Sequence, residues 1–376
     1  MFNWQYNNPV EIHFGPGIIK KLPGLVVPQK AVLITTPGFT KRGITGLLKK
    51  SLGNSLVGII DTVMPNPTLE SVKETFLKAR QYKYDLIIAL GGGSTIDTAK
   101  ALAAIEASGT VEWIADHLKH KVPFPQKFQP KPIIAIPTTS GTGSEVTMWG
   151  TVWDMVEKKK YSICHSLLYP SKAVLDPELT ITLNKEETIY SGLDALSHAM
   201  ESVWNKNHNP VSDTFALQAM SLVYSNLPEL INDLTNLELR STLLQASLLA
   251  GLAFSNTRTA LAHAISYPLT ALYGLPHGLA CSLPLRILLG FNGICNFDRM
   301  SLFAKILGAE PSLASMKEGI DGLFYKLGIS MRLSDYGVSR KDAHEIYKAV
   351  LSSERTDNNI AQLDQSDLKA LIDRLF

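Results

Sequence analysis

Apolar and polar positions along the chain follow two successive rhythms. Up to about residue 180, short apolar runs alternate with amphipathic stretches of roughly a dozen residues. The runs at 31–35, 57–61, 85–90 and 133–136 have the unbroken character of buried strands. A shorter strand is expected at 11–14, ahead of the turn Gly15-Pro16-Gly17. Helical spacing predicts helices over 40–52, 68–82 and 94–107, with Thr68 after Pro67 a candidate N-cap. Strands alternating with helices imply parallel pairing through crossovers, so residues 1–180 are expected to form an open α/β sheet domain. From residue 181 the helical period persists almost to Phe376, with examples at 216–227, 239–254, 302–307 and 320–327. Asn184 followed by Glu187 resembles a helix-opening pair. Residues 181–376 are therefore expected to form an all-helical second domain.

Composition narrows the picture. The 376 residues suffice for two cores. A net charge of +2 and no basic run interleaved with aromatics argue against nucleic acid, Lys158 to Lys160 being the longest basic run. Cys164, Cys281 and Cys295 show no CxxC spacing, which fits a reducing compartment. The N-terminus lacks the pattern of a signal peptide, and no apolar run is read as approaching about 20 residues. A cytoplasmic protein that meets no membrane is expected.

Candidate chemistry concentrates in the second half. Asp194 and His198 are four apart in a stretch whose apolar positions Leu193, Leu196, Ala199, Met200 and Val203 recur at helical spacing. A carboxylate and an imidazole so placed share a helical face and can grip one metal ion. His263 and His277 follow, with Pro268, Gly274 and Pro276 expected to interrupt any helix between them. His263 is then expected to end one helix and His277 to begin the next segment. One Asp and three His make a four-ligand set without thiolate, suited to Fe²⁺, Zn²⁺, Mn²⁺ or Ni²⁺.

Two loops in the first half suit a nucleotide. Gly91, Gly92, Gly93 and Ser94 join a buried strand to a helix, where backbone amides and the helix N-terminus favour phosphate. The GxGxxG fingerprint is absent. A second polar loop, residues 137–144, follows the next strand. Both lie at carboxyl ends of expected parallel strands, where α/β sheets bind ligands.

GGGSTIDTAK, PTTSGTGSEVT, DALSH and the PHG at Pro276 to Gly278, in this order, resemble the iron-dependent alcohol dehydrogenases. The resemblance implies an α/β dinucleotide-binding domain, a helical metal domain and a cleft between them. It also implies NAD(P)H-linked interconversion of a small aldehyde and its alcohol, with Fe²⁺ or Zn²⁺, by a homo-oligomer, expected to be a dimer. By position, Asp194, His198, His263 and His277 match metal ligands. Gly92, Gly93 and Ser94 match the pyrophosphate loop, and Asn66, Thr138, Thr139, Thr142 and Lys160 match residues lining the cofactor. Asp97 is expected to hold the loop.

The chain departs from the family's pattern in three places. Tyr267 stands where many members carry a histidine four residues after the ligand; it is expected to orient substrate through its hydroxyl. Thr36 replaces an Asp that NAD users often carry for the ribose, leaving nothing to repel a 2′-phosphate. Arg258 replaces an uncharged residue, and the surrounding TRTALAHAISYPLTALYGLPHG resembles a phosphonoacetaldehyde reductase branch. Arg258 is accordingly a candidate for gripping a phosphonate, with Lys158 and Arg286 as alternates. The alternatives are a general short-chain alcohol dehydrogenase of butanol, 1,3-propanediol or lactaldehyde type, a relative of dehydroquinate synthase or glycerol-1-phosphate dehydrogenase, and a non-catalytic sensor.

Overall fold

The computed structural model describes residues 3–157, 159–351 and 356–376. The chain divides into two compact units, one of Asn8–Thr139 and Ser144–Thr180, the other of Met1–Asn7, Ser140–Gly143 and Ile181–Phe376. Two short segments thus group differently from a single cut at 180.

In the first unit, six strands form one parallel sheet: β1 (Glu11–Phe14), β2 (Ala31–Thr35), β3 (Leu56–Ile60), β4 (Leu86–Gly91), β5 (Ile133–Pro137) and, after a two-stranded hairpin, β8 (Lys172–Leu175). The hairpin strands, β6 (Trp149–Asp154) and β7 (Lys159–Cys164), pair antiparallel with Trp153 opposite Lys160. The sheet order is β1-β8-β5-β4-β2-β3. Its central strands β2, β4 and β5 are buried along their whole length and almost wholly apolar because both faces are covered. Val32, Ile34, Ile87 and Ala89 pack into one core, and Leu33, Ile88, Leu90 and Ile136 into another.

From β2 the chain moves outward to β3, and from β4 it moves the opposite way to β5, so the order reverses between β2 and β4. Such a reversal opens a crevice at the carboxyl ends of the strands. The α/β fold class expected from the sequence is found. Thr68 caps the helix Leu69–Ala79, accepting from the Ser71 amide at 3.1 Å. The helix expected over 40–52 is two helices, α1 (Pro37–Lys41) and Ile44–Leu52, parted by Gly43 at φ 79°. The hairpin and β8 escaped the pattern because polar residues interrupt β7 and β8 has only 4 residues.

The second unit is helical. Its main helices are α3 (Lys185–Val203), α4 (Pro210–Leu230), α5 (Leu237–Thr257), α6 (Leu261–Tyr273) and α7 (His277–Ser282), α2 being the first unit's Gly93–Ser108. Asn184 Oδ1 accepts from the Glu187 amide at 2.8 Å and starts α3 as its sequence suggests. Leu193, Leu196, Ala199, Met200 and Val203 are all buried in one helical core.

Three expectations need correction. Residues 302–307 form turns, although Phe303 and Leu307 are both buried; two apolar residues four apart mimic helical periodicity over so short a span. Helix α6 continues through Pro268, so His263 opens it and does not end a helix; Gly274 at φ 70° stops it. Pro268 removes only its own amide bond, and the buried packing of Ile265 and Leu269 holds the helix across it. Finally, His277–Cys295, 19 residues of mean hydropathy 1.4, is long and apolar enough to cross a membrane, contrary to the sequence reading. Its apolar window is 72% buried inside the protein, as in a core helix.

Candidate metal centre and nucleotide loops

Helix α3 places Asp194, His198 and Glu201 at i, i+4 and i+7, on one face, and all three are buried. Helix α6 brings His263 in its first turn, and α7 begins with His277. One turn later α7 presents Cys281. Donor atoms of Asp194, His263, His277 and Cys281 all lie within 4.8 Å of one another. Gly278 permits this packing: a Cβ there would lie 1.9 Å from the Tyr190 carbonyl oxygen and 3.0 Å from Asp194 Cβ.

Glu201 orients His263. Its Oε2 accepts from His263 Nδ1 at 2.6 Å and from the Ala260 amide at 2.9 Å. Its Oε1 accepts from the Ala262 amide at 2.5 Å and the His263 amide at 3.2 Å. One carboxylate therefore caps α6, whose own N-cap Ala260 offers no side chain, and fixes the His263 tautomer. Burial pushes the Glu201 carboxyl up, but His263 and the amides outweigh it and hold the group below its ordinary value.

With its Nδ1–H donated, His263 turns Nε2 outward; against burial, Cys281, Glu201 and Asp194 hold the imidazole well above its ordinary value, so an ion would bind there by displacing the Nε2 proton. His263 Nε2 and Asp194 Oδ1 are buried without hydrogen-bond partners, 3.6 Å apart. Leaving each unsatisfied costs about 1–3 kcal/mol. A divalent ion between them satisfies both, and two imidazoles and a carboxylate are suitable ligands, so the residues fit the group. Burial raises the Asp194 carboxyl, yet His198, His263 and His277 together hold it far below the usual carboxylate range.

His198 stands beside the group of four. Its Nδ1 is 3.9 Å from Asp194 Oδ1 and 3.3 Å from the Gly141 carbonyl. Donation to that carbonyl leaves its Nε2 with the lone pair. The ring stacks between Phe254, at 4.1 Å, and His263, at 4.4 Å between centroids. Burial pushes the imidazole down to about 4, against the pull of Asp194, so it is neutral and able to coordinate near pH 7. Gly141 makes its carbonyl available by close approach, for a Cβ there would lie 2.6 Å from the Ser191 carbonyl oxygen.

Cys281 and Glu201 were passed over in the sequence, where the donor set was read as free of thiols. Both signals were present. Cys281 is four after His277, and Glu201 is seven after Asp194.

Tyr267 shares the face of His263 on α6. Its ring lies parallel to that of His277, 6.3 Å away, and is half-buried. Arg258 caps α5 at φ 68°, ψ 174°, with its carbonyl accepting from Asn205 Nδ2 at 3.0 Å and its side chain exposed. Arg286 is engaged by Asp321 at 2.5 Å, and Lys158 lies outside the described residues.

In the first unit, Thr36 follows β2 and Gly92, Gly93 and Ser94 follow β4, the two strands flanking the reversal. Asn66 lies at φ 57°, and its amide donates to Ser94 Oγ at 3.1 Å. The Thr138 amide donates to the Gly91 carbonyl at 3.1 Å. A Cβ on Gly92 would meet Thr139 at 3.2 Å, and one on Gly91 would meet Thr95 Oγ1 at 2.2 Å. Gly91 is thus needed where strand turns into helix, and a side chain on Gly92 would crowd Thr139. Asp97 accepts from Ser144 Oγ at 2.7 Å and the Thr151 amide at 2.9 Å, a loop-holding role. Lys160 is on β7 with its Nζ 5.8 Å from the Trp153 ring centre. Thr142 falls in the segment grouped with the helical unit.

The comparisons with known proteins agree with this geometry. The sequence model of the iron-containing alcohol dehydrogenases matches residues 9–177, and that of the C-terminal part of the Fe-containing alcohol dehydrogenase family matches residues 188–376. Sulfoacetaldehyde reductase of Bilophila wadsworthia (strain 3_1_6) is 32% identical over 95% of this chain and 93% of its own. The NADPH-dependent butanol dehydrogenase of Clostridium saccharobutylicum is 30% identical over 99% of this chain and 98% of its own. The crystal structure of sulfoacetaldehyde reductase from Bifidobacterium kashiwanohense in complex with NAD+ has a TM-score of 0.92 at 30% identity, covering 100% of this chain and 99% of that one. The chain belongs to the iron-containing alcohol dehydrogenase family, and is an oxidoreductase with that family's iron and NAD(P) dependence.

Proposed function

We propose that this protein reduces a small aldehyde with an anionic tail, phosphonoacetaldehyde, to its primary alcohol, 2-hydroxyethylphosphonate, and catalyses the reverse. The observation that carries the redox reading is the pair of unpartnered buried donors, Asp194 Oδ1 and His263 Nε2, inside a cluster of metal-ligating side chains. When bound, a divalent ion polarises the carbonyl oxygen and the nicotinamide supplies hydride. Asp194, His198, His263 and His277 would hold the ion, and Glu201 keeps His263 in the ligating tautomer. The Tyr267 hydroxyl is assigned to orienting the substrate or a proton-carrying water. Gly92, Gly93 and Ser94 present amides to the pyrophosphate at the start of α2.

The anionic tail is supported by the relatives named for sulfoacetaldehyde, a two-carbon aldehyde that carries a sulfonate where the proposed substrate has a phosphonate. Arg258, five residues before His263, is the cation proposed to grip it. The butanol dehydrogenase relative supports the second reading, a general short-chain alcohol dehydrogenase. A cytoplasmic location belongs to the proposal, supported by three free cysteines, as does a homodimer, which light scattering tests.

The deciding assay measures kcat/KM on phosphonoacetaldehyde, sulfoacetaldehyde and propanal, in the natural chain and in Arg258→Ala. The proposal expects the phosphonate to be strongly preferred, with the preference falling by about 2 to 3 kcal/mol in the variant. Equal rates on all three aldehydes would leave the general dehydrogenase reading. A preference for sulfoacetaldehyde would keep the anionic tail and change the substrate.

A further inference from the structure

We propose that Cys281 gives its sulfur to the ion held by Asp194, His198, His263 and His277, so that the centre contains one thiolate among its oxygen and nitrogen donors. The inference rests on the metal reading above and goes beyond it. Cys281 is fully buried on α7, one turn after His277. Its Sγ is 3.6 Å from His277 Nε2 and 3.7 Å from His277 Nδ1. Donors about 2.0–2.3 Å from one ion and about 90–120° apart around it lie about 2.8–4.0 Å from one another. The Cys281–His277 and Asp194–His263 separations, each 3.6 Å, both fall within that span. The neighbours of this thiol are not those of a cysteine that fills an apolar core. They are two buried, unpartnered donors, Asp194 Oδ1 and His263 Nε2, which already point to an ion.

On coordination a sulfur–metal bond forms and the thiol proton passes to solvent; nothing is oxidised. A thiolate favours Zn²⁺ or Co²⁺ over Fe²⁺ relative to a set of oxygen and nitrogen alone. This chain is therefore expected to retain zinc better than a thiol-free site of the same fold.

The test loads metal-free full-length protein with one equivalent of Co²⁺ and records its absorption. A near-ultraviolet sulfur-to-cobalt charge-transfer band is expected in the natural chain and absent from Cys281→Ser. Zinc affinity should fall in that variant by about tenfold more than iron affinity. Because the variant can fail to fold, X-ray absorption at the zinc edge of the natural protein gives a second readout, with a sulfur neighbour expected at about 2.3 Å. Stoichiometric metal with only oxygen and nitrogen neighbours would overturn this inference and leave the metal reading intact. Failure to bind any ion would overturn both.

Discussion

Four hydrogen bonds converge on Glu201, and one of them sets the His263 tautomer. Glu201→Gln keeps the volume and exchanges two acceptor oxygens for one. Metal affinity is expected to fall by about 10- to 100-fold, as read by competitive titration; unchanged affinity would remove its orienting role. Tyr267→Phe should lower kcat modestly with metal content unchanged, and loss of metal in that variant would contradict its assignment. Glu145 makes a pH prediction away from the metal. Burial pushes its carboxyl up to about 7, against its own amide and Lys100. The folded chain therefore keeps a proton that the unfolded chain gives up near 4.5, so stability falls as pH rises from 4.5 toward 7. The loss is about 3 kcal/mol at the outside. Glu145→Gln does not titrate, so its unfolding free energy relative to the natural chain should climb across that window; a difference independent of pH would refute the shift.

At the scale of elements, close approaches decide what the site can be. Gly278→Ala drives a Cβ into the Tyr190 carbonyl and forces α7 away from α3. A loss of about 1–3 kcal/mol in denaturant unfolding is expected, together with weakened metal binding, since His277 and Cys281 move with α7. The β2–α1 junction is expected to set the choice between NADH and NADPH. A Cβ on Gly38 would lie 3.4 Å from Arg42 Nη1 and 3.7 Å from Thr36 Oγ1, so Gly38 lies near both that guanidinium and the uncharged Thr36. NADPH is therefore expected to be used at least as well as NADH. A kcat/KM ratio favouring NADH by about tenfold, or 1.4 kcal/mol, would show that another group decides.

Strands β2, β4 and β5 and the start of α3 were legible because local signals, apolar runs and an Asn cap, coincide with their tertiary environment. Helix α6 was not, because Pro268 reads locally as a break and only packing carries the helix across it. Asp194 and His198 announced themselves by spacing, whereas Cys281 reads as one of three unremarkable thiols until α7 folds it against His263 and His277.

For the molecule as a whole, the glycine-rich loop belongs to the sheet unit, the second polar loop is divided because Ser140–Gly143 group with the helical unit, and the clustered metal donors belong to the helical one. Chemistry on an aldehyde needs the loops and the donors, so losing either should abolish turnover. The central claim is that this cluster holds one divalent ion on which reduction depends. The most direct measurement is metal content per chain alongside aldehyde reduction, in iron-reconstituted natural protein and in His263→Ala. The natural chain should hold one ion and turn over, and the variant should lose both. A His263→Ala protein with a full equivalent of metal and undiminished turnover would contradict the account.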